Sequence, residues 1–305
     1  MRDVKFGLHL PNVRGYTDFD HLKDLTLHAE NTGLDSVWTS DHMLYPESYL
    51  EYFGSTGMFE ALTTLSALAT LTKRIILGTS ILLPLRHPLM EAAMLSTLDH
   101  ASKGRLIVGF GVGWYDPEFQ ALGVPFRERG RVEDEAIELL LALWTKPSVT
   151  HEGRFFRLTD VRLEPKPHQQ PHPPILIGGT PRHAARRVAR FGGGWLPFCP
   201  TLEQFATGIE KIREACEAAD RSFDDLVFAV DLWSSIHRDR GTARERAEFL
   251  VRYFGKPLDR IEQSCAIGSP DEVVERLREY VDLGARHIVL GFPPAGRETE
   301  HMDLL

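Results

Sequence analysis

The feature that most constrains this chain is a rhythm: short apolar runs alternate with longer amphipathic stretches along most of the sequence. A short apolar run between turn residues reads as a buried strand. A longer run with apolar residues three and four apart reads as a helix packed on one side. "VKFGLHL" leads into a predicted helix from Phe19 to Thr32, with Leu22, Leu25 and Ala29 at helical spacing and Gly33 as its stop. "DSVWTS" is the second strand, "EALTTLSALATLT" a helix and "RIILGTSILL" the third strand. The helix "PLMEAAMLSTLDHAS" closes at Gly104, "RLIVGFGVG" is the fourth strand, and a long helix runs from Arg129 to Trp144.

Residues 148–173 break the rhythm. They hold the turn Glu152-Gly153 between β-rich flanks and four prolines, Pro165, Pro167, Pro171 and Pro173, with Pro174 directly after. The pattern reads as a hairpin followed by an extended segment. The alternation then resumes with "PILIGG", "PRHAARRVARF", "GWLPF", "LEQFATGIEKIREACEAA", "LVFAVDLWSSI", "TARERAEFLVRYF", "PDEVVERLREYVDLG" and "HIVLGF". Eight strands with helices between them predict an α/β fold, a (β/α)8 TIM barrel with an insertion after the fourth strand–helix unit. The chain 1–305 then forms a single domain with an excursion at about 148–173. An open doubly wound sheet is the alternative, and the lack of GxGxxG after the first strand weakens its dinucleotide-binding form.

The net charge of −8 argues against a broad nucleic-acid footprint. Apolar runs such as "EAAMLSTL" and "ELLLALW" fall short of the roughly 20 residues a membrane span needs. The N-terminus passes straight into a strand without a signal-like segment, and the three cysteines, Cys199, Cys216 and Cys265, are widely spaced. A cytoplasmic, reduced protein with no structural zinc is expected.

A barrel gathers its chemistry at the C-terminal ends of its strands. His9 and Asn12 stand there after the first strand, and Asp41 and His42 after the second, in "SVWTSDHML". Thr79 and Ser80 end the third, before a loop with Arg86 and His87. Gly111, Gly113, Trp114 and Glu118 follow the fourth, Gly178, Gly179 and Thr180 the fifth, Trp195 lies on the sixth, and Asp231 and Trp233 on the seventh. No lysine ends a predicted strand, which removes a Schiff-base aldolase. The first strand lacks a His-x-His pair, which argues against a barrel metal hydrolase. The aromatic, glycine-rich and hydrogen-bonding remainder suits a planar ring carrying a phosphate. "LIGGTPRHAARR" supplies the phosphate end: Gly178 and Gly179 admit close approach, the helix from Pro181 aims its first amides there, Thr180 can cap it, and Arg182 and Arg186 are nearby cations. Asp41 and His42 read either as turn residues or as an acid–base pair in which Asp41 orients His42.

Taken together, "SDHM", "GTSILLPLRHP", "STLDHASKGRLIVGFGVGWYDPEFQALG", "PILIGG" and "FGGGWLP" resemble the luciferase-like monooxygenase superfamily, and within it the coenzyme F420-dependent oxidoreductase branch. The resemblance covers nearly the whole chain. It implies a (β/α)8 barrel, often a homodimer, that binds F420 or FMN and acts on a small-molecule substrate. It places Asp41 and His42 at the ring and Thr79, Ser80 and Ile81 beside it, with Ser80–Ile81 as a non-proline cis peptide. Gly111, Val112 and Gly113 would border the cofactor. Gly178, Gly179 and Thr180 would hold its phosphate, with Gly194 and Trp195. His9, Trp114 and Trp233 are candidates for the substrate pocket. The chain departs from the pattern twice: Gly192-Gly193-Gly194 stands where many relatives read Gly-Asp-Gly, and Trp114 stands where the branch's sugar-phosphate dehydrogenases carry a glutamate, which argues against that substrate. The function expected is hydride transfer between F420 and a small organic molecule. The alternatives are an FMN-dependent monooxygenase and a non-catalytic flavin-binding protein.

Overall fold

The computed structural model describes residues 4–13, 18–47, 57–293 and 297–304. Its strands are β1 (Lys5–His9), β2 (Ser36–Thr39), β3 (Ile76–Thr79), β4 (Leu106–Phe110), β5 (Val149–Glu152), β6 (Arg157–Val161), β7 (Ile175–Gly178), β8 (Gly194–Leu196), β9 (Val227–Ile236), β10 (Ala266–Gly268) and β11 (His287–Gly291). Eight of them pair in parallel around a closed ring, β1-β2-β3-β4-β7-β8-β9-β11 and back to β1. This is the predicted (β/α)8 barrel. β5 and β6 pair antiparallel in a separate two-stranded sheet. The Glu135 carboxylate, from the helix Arg129–Thr145, accepts the amides of Phe155 and Phe156 at the hairpin's turn.

The barrel interior is filled from β2. Trp38 is fully buried and packs with Leu176, Leu196, Ala229 and Val289. Glycines on the flanking strands make room: a Cβ on Gly78, in register with Trp38, would lie 2.2 Å from its ring, and one on Gly7, in register with Ser36, 2.1 Å from Ser36 Oγ. Trp38 Nε1 donates to Ser36 Oγ at 2.8 Å, and that hydroxyl lies 2.7 Å from His287 Nε2. Burial pushes the His287 pKa down to about 4, so the interior carries a neutral imidazole. A larger apolar layer fills the space between the barrel and the helices.

Several helices have the predicted bounds, among them Phe19–Thr32, Pro88–Ser102 and Pro181–Phe191. Their ends follow local chemistry. His87 accepts the Leu89 amide as an N-cap, and Thr201 with Gln204 and Ser269 with Glu272 form capping boxes. Several elements differ from expectation. "TARERAEFLVRYF" breaks into Arg240–Arg246 and Phe249–Phe254. A short helix, Asp116–Ala121, follows β4. β9 is ten residues long, and its end, Ser234–Ile236, carries the unanticipated β10. Three residues hold too little periodicity to be read as a strand. Among the described residues no helix is long and apolar enough to cross a membrane.

Candidate active site

The C-terminal ends of the barrel strands surround a cavity of about 800 Å³. β1 contributes His9, and the segment after β2 contributes Ser40, Asp41, His42 and Tyr45. Ser80 and Ile81 follow β3; Val112, Gly113 and Trp114 follow β4. Gly179, Thr180 and Arg182 follow β7, Trp195 lies on β8, and Gln204, Thr207 and Lys211 come from the helix Leu202–Ala218.

His42 lines the cavity, and its Nδ1 lies 3.0 Å from Glu118 Oε1. Glu118 is fully buried, and its other oxygen accepts the Met43 amide at 3.1 Å. The carboxylate therefore holds both ring and backbone. It fixes Nδ1 as the proton-bearing nitrogen and leaves Nε2 for the cavity. Tyr45 and Trp114 flank the ring at 4.6 and 6.1 Å between centroids.

The expected pairing of Asp41 with His42 does not form. Asp41 is buried and accepts the Leu83 amide at 2.9 Å and both terminal nitrogens of Arg86 at 2.8 and 2.7 Å. Arg86 also meets Glu60. Burial opposes the Arg86 charge, but Asp41, with Glu91 and Glu60, raises its pKa above the usual value. Behind it, burial pushes the Glu91 carboxyl up to about 8, with Arg86 partly offsetting that. Asp41 thus anchors the loop after β3 to the strand-end face.

On the cavity floor His9 Nδ1 lies 2.7 Å from Asp231 Oδ2, and His9 Nε2 2.7 Å from Ser40 Oγ. Ser80 Oγ donates to the same Asp231 oxygen at 2.6 Å. The Ser80–Ile81 peptide is cis, as the resemblance implies. Ile81 lies in the space that two glycines leave: a Cβ on Gly111 would lie 1.7 Å, and on Gly178 2.7 Å, from Ile81 Cδ1. Gly111 and Gly178 therefore serve the cavity indirectly, through Ile81. The Thr79 hydroxyl is committed to the Gly109 backbone, and Gly194 abuts the Val227 carbonyl; neither is among the lining residues.

At the opposite end Gly179 has φ +95° and open space around its absent Cβ. The helix Pro181–Phe191 starts beside it, and Thr180 makes no side-chain cap bond. Trp195 Nε1 donates to the Gly179 carbonyl at 3.0 Å, fixing that turn, and its ring stacks on Phe205. Arg182 lines this end, but Arg186 is drawn away to Asp134. Trp233, expected in the substrate pocket, is 1% exposed and packs against Phe249 and Tyr253, outside the described lining.

The sequence singles out Glu118, Arg86 and Asp231 only as strand-end residues. Their pairing with His42, Asp41 and His9 was not legible, because each pair joins different strand ends. Among the described residues no cluster of His, Cys, Asp and Glu could hold a metal ion.

A protein from Microbacterium testaceum, an F420-dependent glucose-6-phosphate dehydrogenase, is 30% identical over an alignment covering 92% of this chain and 89% of that protein. An FMNH2-dependent dimethylsulfone monooxygenase of Pseudomonas putida is 29% identical over 70% of this chain and 61% of its own. The crystal structure of a monooxygenase from Streptomyces bottropensis superposes with a TM-score of 0.83 at 27% identity, covering 98% of this chain and 97% of that one. Residues 4–256 match the luciferase-like monooxygenase profile, and the chain belongs to that family.

Proposed function

We propose that this protein is an oxidoreductase that uses the deazaflavin F420 to move a hydride to or from a small organic substrate. The observation that carries the reading is His42, held through Nδ1 by buried Glu118, at a cavity that ends in the Gly179–Thr180 turn. The residues present fit such a cofactor. Ile81 and Val112 offer apolar surface to a flat ring, and the first amides of the helix Pro181–Phe191, with Arg182, suit an anionic group. F420, when bound, supplies a ring carbon that gives or accepts the hydride.

The chain's own residues do the rest. Nε2 of His42 gives or takes the proton that leaves or joins the substrate as the hydride moves. Glu118 keeps the tautomer that makes Nε2 available. Tyr45 and Trp114, beside His42, help to exclude water. The similarity to F420-dependent dehydrogenases supports this cofactor. The match to an FMNH2-dependent monooxygenase supports a second reading, in which reduced FMN occupies the same cavity. The proposal extends to a homodimer in the cytoplasm, following the family resemblance, and sedimentation analysis checks the first part. Titration with F420 and FMN, followed by absorbance and fluorescence, tests the cofactor. Tight F420 binding and its reduction by a substrate panel are expected; FMN binding without F420 binding overturns the first reading in favour of the second.

A further inference from the structure

Four side chains meet at the cavity floor with no part in the proton path assigned to His42. Asp231 Oδ2 is approached by His9 Nδ1 at 2.7 Å and by Ser80 Oγ at 2.6 Å, and His9 Nε2 lies 2.7 Å from Ser40 Oγ. His9 and Asp231 are 3% and 1% exposed, whereas Ser40 and Ser80 are half-buried and line the cavity.

A carboxylate only accepts, so His9 carries its proton on Nδ1. The direction of the Ser40 bond then depends on the charge of His9. A neutral ring accepts the Ser40 O–H at Nε2, which leaves the serine oxygen able to accept from the cavity. A charged ring donates Nε2–H to Ser40 Oγ, and the serine O–H turns to the cavity. Asp231 places a buried carboxyl beside this ring. Its Oδ1 is buried with no hydrogen-bond partner among the described residues. A buried carboxylate with a bare oxygen is costly unless a cation lies against it. Of the groups around it, Cys199 stays a neutral thiol, through burial first and then Cys265 and Asp231 itself. Arg86, near Ser40, is committed to Asp41 and Glu60. His9 is the group placed to balance Asp231.

We propose that Ser40, His9 and Asp231 form a second acid–base relay, which exchanges a proton with the ring of the bound cofactor while His42 serves the substrate. The proposal rests on the reading of a hydride-exchanging cofactor given above. The step balances without electron transfer in the relay: Ser40 Oγ takes a proton from the cavity as its own proton passes to His9 Nε2, and the reverse returns it. Asp231 accepts from Nδ1–H throughout, and Ser80 holds the carboxylate in place.

The test counts protons as well as turnovers. The full chain is titrated with oxidised and with reduced F420 by calorimetry in two buffers of different ionisation enthalpy, across a pH series. The wild type is expected to take up a different number of protons with the two forms, by about one at some pH. His9→Asn and Ser40→Ala should bind both forms but lose that difference, and His42→Ala should keep it. Ser40→Ala leaves the Ser40 amide's bond to Asn12 Oδ1 intact, so the relay is read even if His9→Asn folds poorly. Binding with the difference unchanged in Ser40→Ala or His9→Asn overturns the relay alone. If FMN binds in place of F420, the same titration with oxidised and anaerobically reduced FMN reads the relay. Binding of neither cofactor to the wild type overturns the cofactor reading and the relay with it.

Discussion

His42 and Glu118 form a unit whose parts have separable roles. The imidazole meets the cavity, and the carboxylate, fully buried, sets its tautomer. Replacing His42 with Ala should lower turnover by roughly 10²–10⁴-fold, the range for a positioned acid–base group, with cofactor affinity nearly unchanged. Glu118→Gln keeps an acceptor but can also turn its amide nitrogen to the ring, so the tautomer is no longer fixed. It should cost roughly 10²-fold in kcat. The double variant should be no slower than His42→Ala, because the carboxylate acts through the ring. Steady-state rates decide this; wild-type kcat in Glu118→Gln removes the carboxylate from the mechanism. Gly179 offers a separate test at the other end. At φ +95°, a Cβ added here has no protein atom within 4 Å but the backbone is strained for any L side chain. In Gly179→Val the strain is common to free and bound protein and should lower stability by about 1–2 kcal/mol; cofactor binding should weaken as well, because the added side chain stands where an anion would approach the turn. An unchanged Kd in fluorescence titration would place the anion elsewhere.

Among the elements, β2 and its neighbours show how glycine and tryptophan share the barrel interior. Trp38 occupies space that Gly78 on β3 and Gly7 on β1 leave empty. Gly78→Ala puts a methyl 2.2 Å from the ring, closer than packing allows. The expected cost is about 1–3 kcal/mol, seen as a lower Tm, with the loss reduced when Trp38 is also replaced by Leu. Equal Tm values for Gly78→Ala and wild type would mean that the ring moves aside at no cost. The same device recurs nearer the cavity, where Gly111 and Gly178 leave room for Ile81. The fourth and fifth barrel strands thus shape the floor by lacking side chains. At the rim, β9 continues past the ring to carry β10, and its Asp231 reaches back to His9 of β1.

Across the whole molecule, stability should fall at both ends of the pH range, from two buried groups of opposite sign. His287 has a folded pKa of about 4, below its unfolded value of 6.5. Its contribution is fully present above 6.5 and is lost as pH falls toward 4. Glu91 has a folded pKa of about 8, above its unfolded value of 4.5. Its contribution is fully present below 4.5 and is lost as pH rises through 8, with Arg86 softening and Asp41 and Glu60 sharpening the effect. Glu133, buried and also raised, acts in the same direction. From these shifts the acid end is worth about 3 kcal/mol and the basic end about 5 kcal/mol. Urea midpoints from pH 4 to 9 check it. Glu91→Gln should gain on the wild type as pH rises, and His287→Asn should flatten the acid side; curves parallel to the wild type for both variants would refute the assignment.

The sequence by itself determined the eight-strand alternation, most helix bounds, the Gly179–Thr180 turn before a helix, and the place of His42 at a strand end. These are encoded within a few residues, by periodicity, caps and glycines, and survive without knowledge of the fold. Only the tertiary structure decided which charges meet. Asp41 and His42 are adjacent, yet successive side chains on an extended segment point apart, so one goes to Arg86 and the other to Glu118. His42 finds a partner 76 residues away, and His9 one 222 residues away. Trp233, at a strand end like Trp114, turns into a side cluster with Phe249 and Tyr253. Barrel closure sets these pairings, because it fixes which strand ends face each other, and no local pattern carries that information.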